Sequence, residues 1–134
     1  MRRTSGGTIT LTTAETYQKL TGTFEDGVCN CFTLDTNGKL TFDGDQSMDF
    51  LFTGVSDLQA YKTCTVSYAL YLNGVLVSDS VTPTTFSHAN AIKNISISRI
   101  VQLNQGDEIE VYVKSDTAST IIEIKSFNIT FWGE

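Results

Sequence analysis

Few residues in this chain have the chemistry that catalysis needs. His88 is the only histidine among 134 residues, and it lies in a stretch rich in serine and threonine. Acid–base and nucleophilic catalysis need a reactive group that is held against an orienting partner, and a lone histidine in such a stretch is typically solvated. No serine lies in a nucleophile-elbow pattern. We therefore predict a protein that is not an enzyme and has no catalytic residues, with a carboxylate hydrolase as the alternative.

The acidic residues offer two candidate sites. Glu108 and Glu110 share one strand face, a pattern typical of a solvated or subunit-facing side rather than of the opposed carboxylates of a glycosidase. Asp43, Asp45 and Asp49 form an oxygen-rich cluster of the kind that sometimes binds calcium. Their spacing lacks the full calcium-loop pattern, so an acidic turn is favoured. We predict no metal ligands and no cofactor.

The three cysteines indicate structural thiols. Cys29 and Cys31 are separated by one residue instead of the two to four that zinc sites use, and Cys64 is distant in sequence. Neighbouring same-face positions on a strand would strain a bond between the first two. We predict reduced thiols, with a disulfide from Cys64 to Cys29 or Cys31 as the alternative.

Charge and hydropathy exclude two classes of partner. Nine lysines and arginines stand against fifteen aspartates and glutamates, which gives a net charge of −6. Since phosphates need a basic face, we predict no nucleic-acid partner. The longest apolar run, residues 68–72, is far shorter than the roughly 20 residues that span a bilayer. A polar stretch follows Arg3, so we expect no secretory signal and no membrane partner.

Apolar side chains recur at every second position, which is the period of a half-buried strand. Two segments show this alternation, with their larger apolar groups on one face: Val66, Tyr68, Leu70 and Leu72 in the first, and Ile109, Val111 and Val113 in the second. The dipeptides Asn73-Gly74 and Asn37-Gly38 predict hairpin turns, because asparagine and glycine readily adopt positive φ angles.

The remaining segments also favour an all-β chain. The alternation slips by one residue near Lys125 and Ser126, as it does at a β-bulge. Residues 82–90, which include the single proline Pro83, predict a long exposed loop. No segment predicts a helix. About nine strands, spaced at about ten residues, predict an antiparallel sandwich or barrel.

Several of these segments resemble the jelly-roll domains of tumour-necrosis-factor and complement globular-head proteins. Residues 50–56 do so, as do residues 66–74 with their Asn-Gly turn and residues 101–111, in which Leu-Asn-Gln-Gly-Asp precedes an alternating strand. The sequence is most similar to small bacteriophage members of this architecture, which occur as virion structural proteins and at fibre tips. The resemblance extends over residues 8–131.

The resemblance implies a two-sheet antiparallel jelly-roll sandwich that forms a homotrimer. It also implies that the last strand lies in the inner sheet beside the strands at residues 65–72 and 108–114, with their outer faces meeting at the three-fold axis. By position, the predicted subunit-facing residues are Ser67, Ala69, Tyr71, Glu108, Glu110, Tyr112 and Trp132. Near a three-fold axis, Glu108 and Glu110 would repel the same residues of the other subunits unless the carboxylates are hydrated, bound to a cation or protonated.

The residues themselves also favour self-association. Tyr71, Tyr112 and Trp132 fall at outward phase on strands whose other face is apolar. Aromatic side chains that collect on one sheet surface indicate a contact, since they cover a large area at small entropic cost. The alternative is that one or more of them belongs to a second core face of a barrel.

These observations lead to a non-enzymatic virion protein as the functional hypothesis. We expect a single jelly-roll domain at residues 8–134 that decorates a phage capsid as a trimer, preceded by a flexible arm at residues 1–7 whose Arg2 and Arg3 dock on the particle. The alternative is a receptor- or glycan-binding domain at a fibre tip, which uses Phe86 and His88 in an exposed loop. The sequence leaves open which virus is involved and whether a cation lies on the axis.

Overall fold

The computed structural model describes residues 1–5, 7–25 and 31–133, and in these ranges the chain forms β-strands and one 3-10 turn at Ser78–Ser80. None of the helices described is long and apolar enough to cross a membrane. The strands are β1 (Arg2–Ser5), β2 (Thr8–Leu11), β3 (Gln18–Lys19), β4 (Thr23–Glu25), β5 (Phe32–Leu34), β6 (Leu40–Phe42), β7 (Met48–Ala60), β8 (Cys64–Leu72), β9 (Val75–Leu76), β10 (Thr82–Phe86), β11 (Ile92–Leu103), β12 (Glu108–Ser115) and β13 (Thr120–Gly133).

The strands form two antiparallel sheets, which confirms the predicted all-β sandwich. Sheet A has the strand order β11-β7-β13-β1-β4, and β2 also pairs with β13. Sheet B has the order β10-β8-β12-β6-β5, with β3 paired to β12 and β9 paired to β8. The three longest strands, β7, β11 and β13, lie side by side in sheet A.

The period-two alternation fills the space between the sheets. Val66, Tyr68 and Leu70 of β8 are fully buried, as the sequence predicts for one face of that strand. A group of phenylalanines at one end of the core packs ring against ring, mostly edge to face or tilted, as aromatic quadrupoles favour. Its members are Phe32, Phe42, Phe50, Phe52 and Phe131.

Both predicted hairpins and the predicted bulge are present. Asn73 and Gly74 have φ angles of 51° and 79°, which are the positive values that a type I′ turn between β8 and β9 needs. Gly38, at φ 94°, lies in the turn between β5 and β6. The register of β13 against β7 shifts between Ile124 and Ser126, at the position where the alternation slips.

The structure corrects the exposed loop predicted at residues 82–90. Its first half, Thr82–Phe86, is strand β10, which pairs with β8 at one end of sheet B. Pro83 fits there because an edge strand has a side on which no backbone N–H is needed. The sequence pattern did not predict this strand, because threonines occupy its alternate positions and Phe86 is its only large apolar residue.

The amino-terminal segment also differs from expectation. We expected residues 1–7 to be a flexible arm outside the domain, but Arg2–Ser5 forms β1 within sheet A, between β13 and β4. Met1 is buried, and its terminal ammonium group donates to the Ile129 carbonyl at 2.9 Å. The Ile129 N–H donates in turn to the Met1 carbonyl at 2.8 Å. The segment forms a strand because it pairs with backbone N–H and C=O groups of β13 that would otherwise lack hydrogen-bond partners.

Candidate functional site

The outer face of sheet A carries a patch without charged side chains, which we call the neutral grid. It lies where β11, β7 and β13 run side by side in register. Each of its three rows takes one residue from each strand in turn. The rows are Ile100, Leu51 and Trp132; Ser98, Thr53 and Thr130; and Ser96, Val55 and Asn128.

Three large apolar side chains of the neutral grid are open to solvent. Trp132 is 67% exposed, Ile100 55% and Val55 50%. Scattered exposed apolar residues are ordinary, but here two of the three lie in one row with Leu51 between them. A concentration of tryptophan and aliphatic groups surrounded by small hydroxyl and amide side chains is typical of the centre of a protein–protein contact.

Charged groups begin at the border of the neutral grid. Asp57 on β7 accepts a hydrogen bond from Asn94 at 3.1 Å and one from Ser126 at 3.3 Å. Glu123 on β13 accepts a 2.7 Å hydrogen bond from the Tyr61 hydroxyl, which lowers the pKa of this carboxyl and raises the pKa of the phenol. The grid is thus an uncharged centre with a polar border.

The outer face of sheet B is closed by a tyrosine cluster that we define as Tyr17, Tyr71 and Tyr112. The Tyr71 and Tyr112 rings stack at 3.8 Å, and Tyr17 meets Tyr71 edge-on at 5.8 Å. The Lys114 ammonium lies 4.9 Å from the Tyr17 ring centroid, as in a cation–π contact, and donates to Glu15 at 3.1 Å. Burial is the main cause of the raised pKa of both Tyr17 and Tyr71.

The predicted subunit-facing row is divided between the two sheets. The last strand does not lie beside β8 and β12 as expected, because it pairs with β7, β1 and β2 in sheet A. Trp132 therefore lies on the opposite side of the sandwich from Tyr71 and Tyr112. Strand partners are long-range choices that alternation alone does not determine, which is why this expectation was wrong.

Two other members of that row are already buried within one chain. Ser67 is 5% exposed and Ala69 is 0% exposed, although both fall at outward phase on β8. Across the ladder they pair with Lys114 and Tyr112, whose longer side chains extend over such small neighbours. Ser67 and Ala69 thus have no surface to offer another subunit in this conformation.

The two glutamates of the row have partners of their own. Glu110 forms an ion pair with Lys19 at 2.8 Å, and Glu108 forms one with Lys39 at 3.5 Å. The repulsion that we expected from stacked copies of these carboxylates is therefore already offset inside each chain. The backbone N–H of Glu108 also donates a hydrogen bond to the side-chain oxygen of Asn73 at 2.9 Å.

The candidate docking and loop residues have different environments. Arg2 is exposed and forms an ion pair with Glu25, whereas the Arg3 side chain is half-buried and donates from Nε to the Thr21 carbonyl at 2.8 Å. His88 is exposed, beyond the end of β10. Phe86 is only 1% exposed, so its proposed role in an exposed binding loop is corrected: it is a core residue.

The thiols and acidic clusters show no built reaction site in the residues that the structure describes. Cys31 and Cys64 are unbridged, while Cys29 lies outside the described residues. Burial raises the pKa of the Cys64 thiol, which disfavours the reactive thiolate. The carboxylate of Asp43 accepts a hydrogen bond from Thr33, and no three histidine, cysteine or acidic side chains of the described ranges converge as metal ligands do.

Of the nine neutral-grid positions, sequence reasoning named only Trp132 as a candidate. Six of the positions that it missed lie on β7 and β11: Leu51, Thr53, Val55, Ser96, Ser98 and Ile100. The signal is present in the sequence, because the outward phase of both strands has three successive positions without a charge. This signal is not distinctive, because it consists of ordinary residues and indicates a surface patch only once β7 and β11 are known to be neighbours.

Comparison with known proteins identifies the fold. The chain aligns with the Eiger TNF of S. frugiperda over 99% of its own length and 90% of the other chain, with a TM-score of 0.63 at 11% identity. Murine APRIL aligns over 89% of this chain and 98% of that chain, with a TM-score of 0.57 at 11% identity. The globular domain of zebrafish complement 1qA protein aligns over 95% and 96%, with a TM-score of 0.50 at 12% identity.

These likenesses confirm the expected fold class: the chain is a TNF-like jelly roll. The fold is shared at an identity at which side chains have largely diverged, so the neighbours give the arrangement of strands and leave the function to be argued from the surface. At the level of sequence, no protein-family model and no curated protein matches the chain.

Proposed function

We propose that this protein is a non-enzymatic structural protein that assembles as a homotrimer through the neutral grid. The observation that carries the proposal is the uncharged patch on sheet A, with Trp132 67% exposed at its edge. Copies of a chain with a net charge of −6 repel one another, so they meet best where no charge has to be desolvated. The neutral grid meets this condition, because none of its nine side chains is charged.

The neutral grid, rather than the tyrosine cluster, supplies the proposed contact. On sheet B the tyrosine rings and the Lys114 ammonium already pack against one another within one chain. On sheet A the side chains of Trp132 and Ile100 are exposed to solvent. Covering these two side chains removes a large apolar area from water, at about 25 cal/mol per Å².

We further propose that the trimer is a phage virion protein that decorates the capsid. Support comes from the resemblance of residues 50–56, 66–74 and 101–111 to small phage jelly rolls and from a surface suited to assembly rather than catalysis. In this proposal Arg2, which is exposed on β1, remains a docking residue, whereas the Arg3 side chain is half-buried and donates from Nε to the Thr21 carbonyl.

Attachment and stoichiometry can be measured together. Purified protein is mixed with empty particles of its source phage, and the mixture is followed by light scattering and negative-stain imaging. We expect trimers at regular sites on the particles and a higher temperature of particle disruption. Trimers that never associate with particles would remove the capsid role while leaving the assembly proposal intact.

A receptor- or glycan-binding domain at a fibre tip is the second candidate function. One observation favours it: His88 is exposed at the end of the sandwich, just after β10, where a rigid scaffold can present it. Binding to a glycan array that is lost in a His88→Ala variant would favour this function over decoration. The Phe86→Ala variant is unsuitable for this experiment, because Phe86 belongs to the core.

A further inference from the structure

Sheet A is interrupted beside β13, and the interruption forms a groove. The strand β2 pairs with β13 as far as Glu123, and β1 pairs with it at Asn128. Between these two points, among the described residues, β13 has no strand partner on that side, and its bulge lies there. The resulting groove has a volume of about 540 Å³, within the range of about 300–1,000 Å³ that small-ligand pockets occupy.

Three cations line this groove, in a chain that has only nine lysines and arginines. Arg2 and Lys125 lie at its rims, and each forms an ion pair with an acidic neighbour, Arg2 with Glu25 and Lys125 with Glu123 at 3.1 Å. Arg3 also lines a second, adjoining cavity of about 190 Å³ together with Lys125. Carboxylates therefore offset two of these three charges, and Arg3 is the cation of the groove for which no ion pair is present among the described residues.

Arg3 differs from the two rim cations because its hydrogen-bond partners are neutral. Its guanidinium donates to the carbonyls of Thr21 at 2.8 Å and Gly7 at 3.4 Å, and within the described ranges no carboxylate forms an ion pair with it. Gly22 makes room for this side chain, since a Cβ there would lie 2.5 Å from Arg3 Nε. Burial lowers the pKa of Arg3, which shows a desolvated charge that an anion would stabilise.

The other lining residues have the chemistry of hydroxyl recognition. Asn128 contributes a side-chain amide that both donates and accepts hydrogen bonds, as the hydroxyls of a sugar do. Thr4 and Ser126 contribute hydroxyl oxygens that can accept, while their protons are donated to the Thr23 carbonyl at 3.1 Å and to Asp57 at 3.3 Å. Val55, which is 50% exposed, adds a small apolar surface. A ligand that is complementary to all three components is small, carries an oxyanion, and has hydroxyl groups on a carbon framework.

We propose that the groove between β1 and β13 binds an acidic saccharide, whose carboxylate or sulfate group pairs with Arg3 and Lys125. Arginine suits this role because its planar fork can hold two oxyanion oxygens at once. The inference goes beyond the proposed assembly and rests on the groove of a single chain, which shares Val55 and Asn128 with the neutral grid. Trp132, the anchor of the proposed contact, lies four residues along β13 from Asn128, about 13 Å away.

Calorimetric titration of the full chain with sodium glucuronate, glucose and inorganic phosphate tests this inference. We expect glucuronate to bind and to bind more tightly than either of the other two, since glucose lacks the charge and phosphate lacks the hydroxyl framework. Equal or tighter binding of phosphate would overturn the saccharide assignment. No binding of glucuronate would overturn the site altogether.

Two variants assign the binding to the groove. Lys125→Gln removes an exposed cation from the groove and is expected to weaken glucuronate binding about tenfold, as the loss of one charge-assisted hydrogen bond does. Lys93→Gln removes an exposed cation from β11, outside the groove, and is expected to leave binding unchanged. Equal effects of the two variants would overturn the site, because they would indicate a general response to charge.

A third variant separates this inference from the proposed assembly. Trp132→Ser disturbs the anchor of the neutral grid but none of the groove residues. We expect glucuronate to bind this variant at least as tightly as it binds the unaltered chain, because assembly through the neutral grid would cover Val55 and Asn128 of the groove. Loss of binding in Trp132→Ser would overturn the inference that one chain provides the whole site.

Discussion

Tyr68 shows how a single buried residue ties the two sheets together. It lies on β8 of sheet B, and its hydroxyl is 3.0 Å from the hydroxyl of Ser56 on β7 of sheet A. Ser56 in turn donates to the carbonyl of Ser126 at 2.7 Å, at the bulge of β13. Burial raises the pKa of Tyr68 to about 12, because the phenolate would lose its hydration inside the core.

The pKa of Tyr68 predicts a loss of stability at high pH. In the unfolded chain the phenol ionises near its ordinary pKa of 10.0, so the folded state is favoured fully below that pH and progressively less up to about pH 12. A shift of this size corresponds to roughly 3 kcal/mol. At pH 7 the free energy of unfolding of Tyr68→Phe should be about 1 kcal/mol lower than that of the unaltered protein, because one hydrogen bond is missing. Between pH 10 and 12 the free energy of unfolding should fall less in Tyr68→Phe than in the unaltered protein.

Urea unfolding of both proteins from about pH 7 to about pH 12 measures this difference. Tyr17, Tyr61 and Tyr71 also have raised pKa values, but they are present in both proteins and cancel in the comparison. Parallel pH profiles for Tyr68→Phe and the unaltered protein would contradict the account of the buried phenol.

Phe86 and His88 lie two residues apart in the chain but should respond very differently to substitution. Phe86→Ala leaves a cavity in the core and is expected to cost about 3–5 kcal/mol of unfolding free energy. His88→Ala changes an exposed side chain and should alter it by less than about 0.5 kcal/mol. Denaturant titration at neutral pH compares the two, and a small effect of Phe86→Ala would contradict its place in the core.

At the scale of strands and turns, the sequence predicted what depends on neighbours along the chain. Alternation in β8 and β12, the Asn73-Gly74 turn and the slip in β13 were each visible within about ten residues. The sequence did not predict which sheet contains β13, because the alternating pattern of this strand would fit either sheet. Strand β10 was missed because threonines occupy most of its positions, and β1 because its pairing depends on a strand more than a hundred residues away.

Gly74 tests the hairpin between β8 and β9. Its φ angle is 79°, and a Cβ there would meet no atom within 4 Å, so substitution costs backbone strain alone. Gly74→Ala is expected to lose about 1–2 kcal/mol of unfolding free energy, and Gly74→Asn less, because asparagine tolerates the left-handed region. Thermal unfolding of both variants measures this order, and equal stability of Gly74→Ala and the unaltered protein would contradict a type I′ turn.

At the scale of the whole molecule, the two outer faces of the sandwich differ. Sheet B is covered by its own tyrosine cluster and by the Lys19–Glu110 ion pair, so these rings and charges already have contacts within the chain. Sheet A leaves the neutral grid open to water. A sandwich with one closed and one open face is suited to assembly through the open one, and a three-fold arrangement would bring three copies of sheet A to a common centre.

Trp132 and Val75 form a matched pair for testing this assembly. Both are 67% exposed, but Trp132 belongs to the neutral grid, whereas Val75 lies on β9 at the turn of the hairpin in sheet B. Trp132→Ser should weaken each subunit contact by about 2 kcal/mol or more, as the loss of an interface anchor does. Val75→Ser should leave assembly unchanged.

Sedimentation velocity of the unaltered protein, Trp132→Ser and Val75→Ser over a range of concentrations tests the central claim most directly. We predict a species of about 44 kDa, three chains of 14.7 kDa, for the unaltered protein and for Val75→Ser. Trp132→Ser should sediment as a single chain at concentrations where the other two remain trimeric. A single chain at every concentration of the unaltered protein, or a trimer that Trp132→Ser leaves intact, would contradict assembly through the neutral grid.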